Sequence, residues 1–283
     1  MTTQLSPVGR FDKVLLATDG SEFSAGAERE AINLSRVCES QLEAMTVVIA
    51  NPEYDAFAPQ LIEKSEKDAE ARLETVKNKA SEGSVNCEIL VRHSENPYQE
   101  IVETAEERKA DVIVMGRRGK TGFMRAMMGG STAKVVGLAH CAVLIVPKAA
   151  PAIEGKNILL AVDGSRYSEI AATATANLAK RLNAPVTILS VVYTDHQTQR
   201  EEEAQEVVQR IGEFLKQEGV QQIETKITRG KHADMIVDTA VQGNSDLIVV
   251  GSHGRTGLER ILMGSVSERI IGLTQCAVLV VKA

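Results

Sequence analysis

The sequence predicts an α/β protein built from two tandem, doubly wound domains, each a five-stranded parallel sheet with helices on both faces. Three observations carry this. The chain is written twice, its short apolar runs are continuous rather than alternating, and the segments between those runs have helical spacing. KVLLATDGSEFS (Lys13 to Ser24) returns as NILLAVDGSRYS (Asn157 to Ser168), 144 residues later. ADVIVMGRRGKTG (Ala110 to Gly122) returns as SDLIVVGSHGRTG (Ser245 to Gly257), and CAVLIV (Cys141 to Val146) as CAVLVV (Cys276 to Val281). Residues 116–146 aligned on 251–281 without gaps share 14 identities in 31 positions, which makes the halves a duplication.

In the first half the strands read as VLLAT, MTVVIA, CEILV, DVIVM and AVLIV. Runs this short and this rich in β-branched residues suit strands better than buried helices, and continuous apolarity means that both sheet faces are covered. Between them, Ala27, Ala31, Leu34 and Cys38 step by four, three and four, as do Ala171, Thr175, Leu178 and Leu182. Ile62, Ala69, Leu73, Val76 and Ala80 form a second stripe, matched by Val207, Ile211, Phe214 and Leu215. Strand and helix therefore alternate five strands to four helices in each half, the order of a doubly wound sheet. PKAAPAIEGK (Pro147 to Lys156) has two Pro, one Gly and no periodicity, so the expected domains are 1–148 and 155–283, joined by a linker at 149–154. The charge-dense stretches EKSEKDAEAR and EEEAQEVVQR read as solvated outer faces of the second helix in each half.

Composition narrows the function. The 283 residues carry 32 Lys+Arg against 38 Asp+Glu, a net charge of −6, which argues against a nucleic-acid partner. No apolar run approaches the roughly 18 residues of a membrane span, and the N-terminus lacks a signal-peptide core. Four Cys without CxxC or metal spacing point to a reducing, cytoplasmic compartment. The five His show no HExxH or H-x3-H spacing, so neither a metal site nor a catalytic constellation is expected.

The informative segment is GSHGRTGLERILMGS (Gly251 to Ser265), in pattern form G-x2-G-x9-G-S. Gly251 ends an apolar strand where a side chain would block a ligand crossing the strand's carboxyl edge. Gly254 and Gly257 let backbone N–H groups turn inward into an anion-binding concavity. Gly264 and Ser265 open a helix whose first amides are unpaired and whose dipole is positive at that end, so a phosphate fits there. The hydroxyls of Ser265 and Ser267 would add hydrogen bonds to it. Asp19 and Asp163 end the first strands directly before Gly-Ser, at the edge where a doubly wound sheet binds its ligand. Each either holds a ribose hydroxyl or caps the following helix, and the pattern leaves both open. GRRGKT is no P-loop, because Val114 stands where G-x4-G-K-T requires glycine.

Together, V-DGS after strand one, G-x2-G-x9-G-[ST] after strand four and the closing CAVLVV resemble the universal stress protein family, in its ATP-binding branch, over nearly the whole chain twice. The resemblance implies a Rossmann-like sandwich of the adenine nucleotide alpha hydrolase type, strand order 3-2-1-4-5, binding ATP with Mg²⁺ accompanying it. It also implies pairing of the two halves into an internal pseudo-dimer, with a homodimer as a further step. Carried over, the family's adenine and ribose contacts fall on Asp163, Val192, Val250 and Gly251. Its phosphate contacts fall on Gly254, Gly264, Ser265, Val266 and Ser267. In the first half they fall on Asp19, Val48, Met115, Gly116, Gly119, Gly129, Ser131 and Thr132. Gly130 departs from the pattern, standing where the second half has Ser265, so the first site keeps an N–H but loses a hydroxyl. The function implied is a nucleotide-dependent stress-response or signalling protein with little or no turnover. A slow ATPase or a phosphoryl- or adenylyl-transfer enzyme is the alternative.

Overall fold

The computed structural model describes residues 9–50, 59–118, 128–193, 197–255 and 263–282. The chain divides into two compact units: the first spans Phe11 to Lys148, and the second runs from Ala149 onward and also takes in the described residues Gly9, Arg10 and Met128. In the first unit β1 (Lys13–Ala17), α1 (Ala25–Cys38), β2 (Gln41–Ile49), α2 (Pro59–Glu82), β3 (Cys87–Ser94), α3 (Pro97–Arg108), β4 (Val112–Gly116), α4 (Gly130–Leu138) and β5 (Ala142–Val146) follow in turn. The second unit repeats the series with β6 (Ile158–Ala161), α5 (Arg166–Leu182), β7 (Val186–Val192), α6 (Gln197–Gln217), β8 (Ile223–Arg229), α7 (His232–Gln242), β9 (Leu247–Gly251), α8 (Ser265–Leu273) and β10 (Ala277–Val281).

All pairings within a unit are parallel. β1 lies between β2 and β4, β3 flanks β2 and β5 flanks β4. The second unit gives the same order, β8-β7-β6-β9-β10. Right-handed crossovers then put α5 and α6 on one face and α7 and α8 on the other, and each of these helix pairs packs side by side.

The core is aliphatic. Leu15, Leu16, Ile113, Val114 and Ile145 fill the first sheet, and Ile158, Leu160, Ile188, Val249 and Val280 the second, all essentially inaccessible. Each such side chain contributes about 1.5–3 kcal/mol by leaving water. Both faces of β4 and β9 are buried, whereas β3 has a single buried residue, Cys87, and β8 has none.

Two strands outrun their apolar pattern. β2 begins four residues before MTVVIA because parallel pairing starts at Lys13↔Gln41, and Glu43 is buried there with its carboxylate 3.5 Å from the Arg108 guanidinium. β3 continues through Arg92, His93 and Ser94, whose register lies against Val47, Val48 and Ile49. Most of the helical stripes are buried as spaced, with Ala69, Leu73, Val76 and Ala80 at 2% exposure or less, whereas Ile62, Leu182 and Phe214 are only half-buried. On α1, Leu34 is only half-buried, and Glu30 joins Ala27 and Ala31 inside, its carboxylate 2.6 Å from Arg29 Nε.

The segment between the units is anchored to the second one. Ala150 and Ile153 are buried, and Asp246 Oδ2, at the foot of β9, accepts the backbone N–H groups of Glu154 (2.8 Å) and Lys156 (2.9 Å). Among the described residues no helix is long and apolar enough to cross a membrane.

Candidate functional site

The carboxyl ends of β6, β7 and β9 and the start of α8 bring the predicted residues of the second unit to one edge. Gly264 caps α8 in an extended conformation (φ −66°, ψ 139°), its N–H bonded to the Ser252 carbonyl at 2.9 Å. As a glycine it has no side chain to occupy the amides that follow, and Ser265 and Val266 beside them are exposed. The first unit repeats this. Gly129 (φ −64°, ψ 146°) caps α4, its N–H bonded to the Arg117 carbonyl at 3.0 Å, and no described atom lies within 4 Å of where a Gly130 side chain would begin. A glycine-capped helix start beside a strand end is chemically suited to an anion. Gly119 and Gly257 lie outside the described residues.

Three sequence expectations are corrected. Gly251, read as glycine to clear a ligand's path, is held to glycine by the protein's own packing, and so is Gly116. A Cβ on Gly251 would lie 2.6 Å from Tyr167 Cβ and 3.0 Å from its carbonyl carbon, and one on Gly116 would lie 2.7 Å from the Phe23 carbonyl oxygen. The strand ends are glycine because α5 and the turn before α1 press on them. Nor does the Ser267 hydroxyl point out to a ligand. It is buried and donates to the Gly251 carbonyl at 2.9 Å, and Thr132 donates likewise to Gly116 at 3.2 Å. These hydroxyls fasten the helix to the strand, leaving Ser265 as the exposed hydroxyl of α8's first turn. Finally, neither aspartate is the helix cap. Ser165 caps α5, accepting from the Ser168 N–H, while Asp163 stands two residues back and accepts the Ser165 N–H at 2.9 Å. Asp19 accepts from Ser21 N–H (3.0 Å), Ser21 Oγ (2.6 Å) and Ser24 Oγ (3.1 Å).

Asp163 has a second task that its sequence position did not reveal. Its Oδ2 accepts the Arg255 backbone N–H at 2.9 Å, tying the loop after β9 to the end of β6. The loop passes so close that a Cβ on Gly254 would lie 2.7 Å from that same oxygen. Arg255 Nε donates to the Asp163 carbonyl, and its Nη1 reaches Glu203 Oε2 at 2.8 Å. The charged run on α6 is thus not simply a solvated face. Glu203 pairs with Arg255, and Glu201 pairs with Arg229, whose hydrogen bond holds the Glu201 carboxyl below its ordinary range. In the first unit Arg72 of α2 takes the comparable place, its Cδ lying over the spot where a Gly20 side chain would begin. Arg255 lies 52 residues from Glu203 and 92 from Asp163, and Arg72 lies 52 from Gly20, separations that carry no sequence signal.

The remaining predicted residues are in place at the same edges. Val192 and Val250 are buried at the ends of β7 and β9, Met115 is buried on β4, Val48 is half-buried on β2, and Ser131 is exposed in α4. His253 lies with its ring 5.2 Å from that of Tyr167 and its Nδ1 3.1 Å from Ser252 Oγ. Arg117 is half-buried, and burial together with neighbouring Arg118 lowers its pKa. The thiols are placed for packing: burial pushes Cys87 up to about 11 and raises Cys276 as well. Among the described residues no group of three or more His, Cys, Asp or Glu gathers closely enough to hold a metal ion.

Fold and site together define a tandem, parallel α/β protein with a glycine-capped helix mouth beside the first strand of each unit. Residues 10–147 and 155–282 each match the universal stress protein family, and the chain belongs to that family. It is 37% identical over 142 residues to a universal stress protein of Methanocaldococcus jannaschii, covering 49% of this chain and 83% of that one. Against the universal stress protein YxiE of Bacillus subtilis it is 32% identical over 149 residues, covering 48% and 99%. The crystal structure of a universal stress protein from Archaeoglobus fulgidus shares the fold at a TM-score of 0.78 and 21% identity, covering 96% of this chain and 98% of that one.

Proposed function

We propose that this universal stress protein binds ATP at the helix mouth of its second unit, and more weakly at that of its first, and acts as a nucleotide-dependent stress-response protein with little or no turnover. The observation that carries the reading is the Gly264 cap, which leaves the first turn of α8 bordered by the exposed Ser265 and Val266. The amides of Ser265, Val266 and Ser267 would hold the phosphates, with the Ser265 hydroxyl as a further donor. Asp163, Val192, Val250 and Gly251 would border the ribose and base, and Gly254 the phosphates. In the first unit Asp19, Val48, Met115, Gly116, Gly119, Gly129, Gly130, Ser131 and Thr132 take the same parts. Mg²⁺ would come with the triphosphate and neutralise part of its charge.

Isothermal titration with ATP on the wild type and on Ser265→Asp tests this. A carboxylate at that exposed position suits the helix dipole, so stability holds or rises by about 0.3–1 kcal/mol. The same charge repels a phosphate and removes a donor, so affinity in the second unit falls tenfold or more. Equal affinity in the two proteins would overturn the assignment.

A further inference from the structure

One residue beyond Val192, Tyr193 leaves the end of β7 with 44% of its surface exposed. Its ring is nearly parallel to that of His232, the first residue of α7, with 7° between the planes and 6.2 Å between the centroids. The placement is fixed by backbone. Gly230 adopts φ +146°, open to glycine but rarely to other residues, and its N–H bonds to the Val192 carbonyl at 3.1 Å. That bond holds the turn entering α7 against the end of β7, which brings the two rings together. They stand at the carboxyl ends of β7 and β8, on the edge of the sheet that also carries Asp163 and Gly251.

Two flat rings held parallel with an exposed face do nothing for the core, where neither is fully buried. What they offer is a platform on which another planar ring can stack. Among the described residues the first unit has no such pair. The residue after Val48 is Ile49, 70% exposed, and the first residue of α3 is Pro97.

We infer that Tyr193 and His232 are the base-recognition pair of the second unit, selecting a purine nucleotide by stacking. This rests on the reading of the α8 mouth as a nucleotide site and adds to it the group that distinguishes a base from a bare polyphosphate. It also makes the second unit the one that reads the base.

The probes are ATP, inorganic tripolyphosphate and the triphosphate of 2-aminopurine riboside, whose emission is quenched on stacking. The chain has no Trp, so that emission is read without interference. The wild type is expected to quench the probe and to bind ATP more tightly than tripolyphosphate. Tyr193→Ala should weaken ATP tenfold or more and abolish quenching, yet leave tripolyphosphate affinity unchanged, and Tyr193→Phe should behave as the wild type. His232→Ala should give a smaller loss in the same direction. Unchanged ATP affinity in both alanine variants would overturn the pair, as would an equal loss of ATP and tripolyphosphate. A wild type that binds tripolyphosphate and ATP equally well would sink the pair while sparing the phosphate site. One that binds neither would sink both.

Discussion

The two units share a backbone but clamp their glycine turns differently. In the second, Arg255 lies over Gly164 (φ +79°), with its Nη2 3.0 Å from where a side chain would begin, and also pairs with Glu203 of α6. In the first, the guanidinium over Gly20 (φ +65°) comes from α2, as Arg72, at the position where α6 has the apolar Val207. Val207 in turn packs on Gly164, with Cγ2 2.9 Å from where its Cβ would lie. A cation thus covers the Asp-Gly turn in both units, supplied by the loop after strand four in one and by the second helix in the other. After duplication, what the turn keeps is the charge beside it rather than the residue that supplies it. The helix starts differ as well: Ser265 opens α8 where Gly130 opens α4, and Glu268 stands in the first turn of α8 where the first turn of α4 has no acid. The second unit gains a hydroxyl at its mouth and carries an opposing charge nearby.

The sharpest way to break the comparison is through glycines that look alike in sequence. Gly251→Ala forces a methyl into Tyr167, including its backbone, and should cost about 2–3 kcal/mol in urea denaturation of the full chain. Gly130→Ala meets no described atom within 4 Å and removes unfolded-state freedom, so it should be neutral or stabilise by up to about 1 kcal/mol. Similar costs for the two would mean that the strand-end contact is not what fixes Gly251.

Next in size is the tie in the second unit between the end of its first strand and the loop after its fourth. Asp163→Asn replaces the charged acceptor of the Ser165 and Arg255 amides and should cost about 1.5 kcal/mol. Tryptic cleavage after Arg255 should rise several-fold under native conditions. Unchanged cleavage would show that Asp163 does not hold the loop.

The smallest effect sharpens the contrast at the helix mouths. Gly130→Ser gives the first unit the hydroxyl it lacks, and ATP titration should show its site tightening by about tenfold. No change would place the difference between the mouths elsewhere, with Glu268 or the arginines.

Much of this was legible in advance because it depends on short-range pattern. The repeat, the β-branched strands, the stripes such as Ala69, Leu73, Val76 and Ala80, and the glycine caps at 129 and 264 all announce themselves within a few residues. What stayed hidden depends on partners far along the chain. Gly251 is glycine on account of Tyr167, 84 residues earlier. The inward turn of the Ser267 and Thr132 hydroxyls depends on a carbonyl 16 residues away, and a hydroxyl in a helix's first turn is equally able to face outward. Glu203 and Arg72 sat within runs of charge that look solvated, because a one-dimensional pattern cannot say which member of a charged helix lies over a turn. β2 began early because its neighbours, not its own residues, set where pairing starts.

One anchoring contact governs how the halves can be taken apart. Asp246 is 1% exposed and spends one oxygen on the amides of Glu154 and Lys156. A gene fragment that opens at Lys156 would strip that carboxylate of one of its two amides and also discard Ala150 and Ile153, both packed away from water. Any attempt to express the second half by itself should therefore begin no later than Ala149, a boundary set by a side chain nearly a hundred residues downstream.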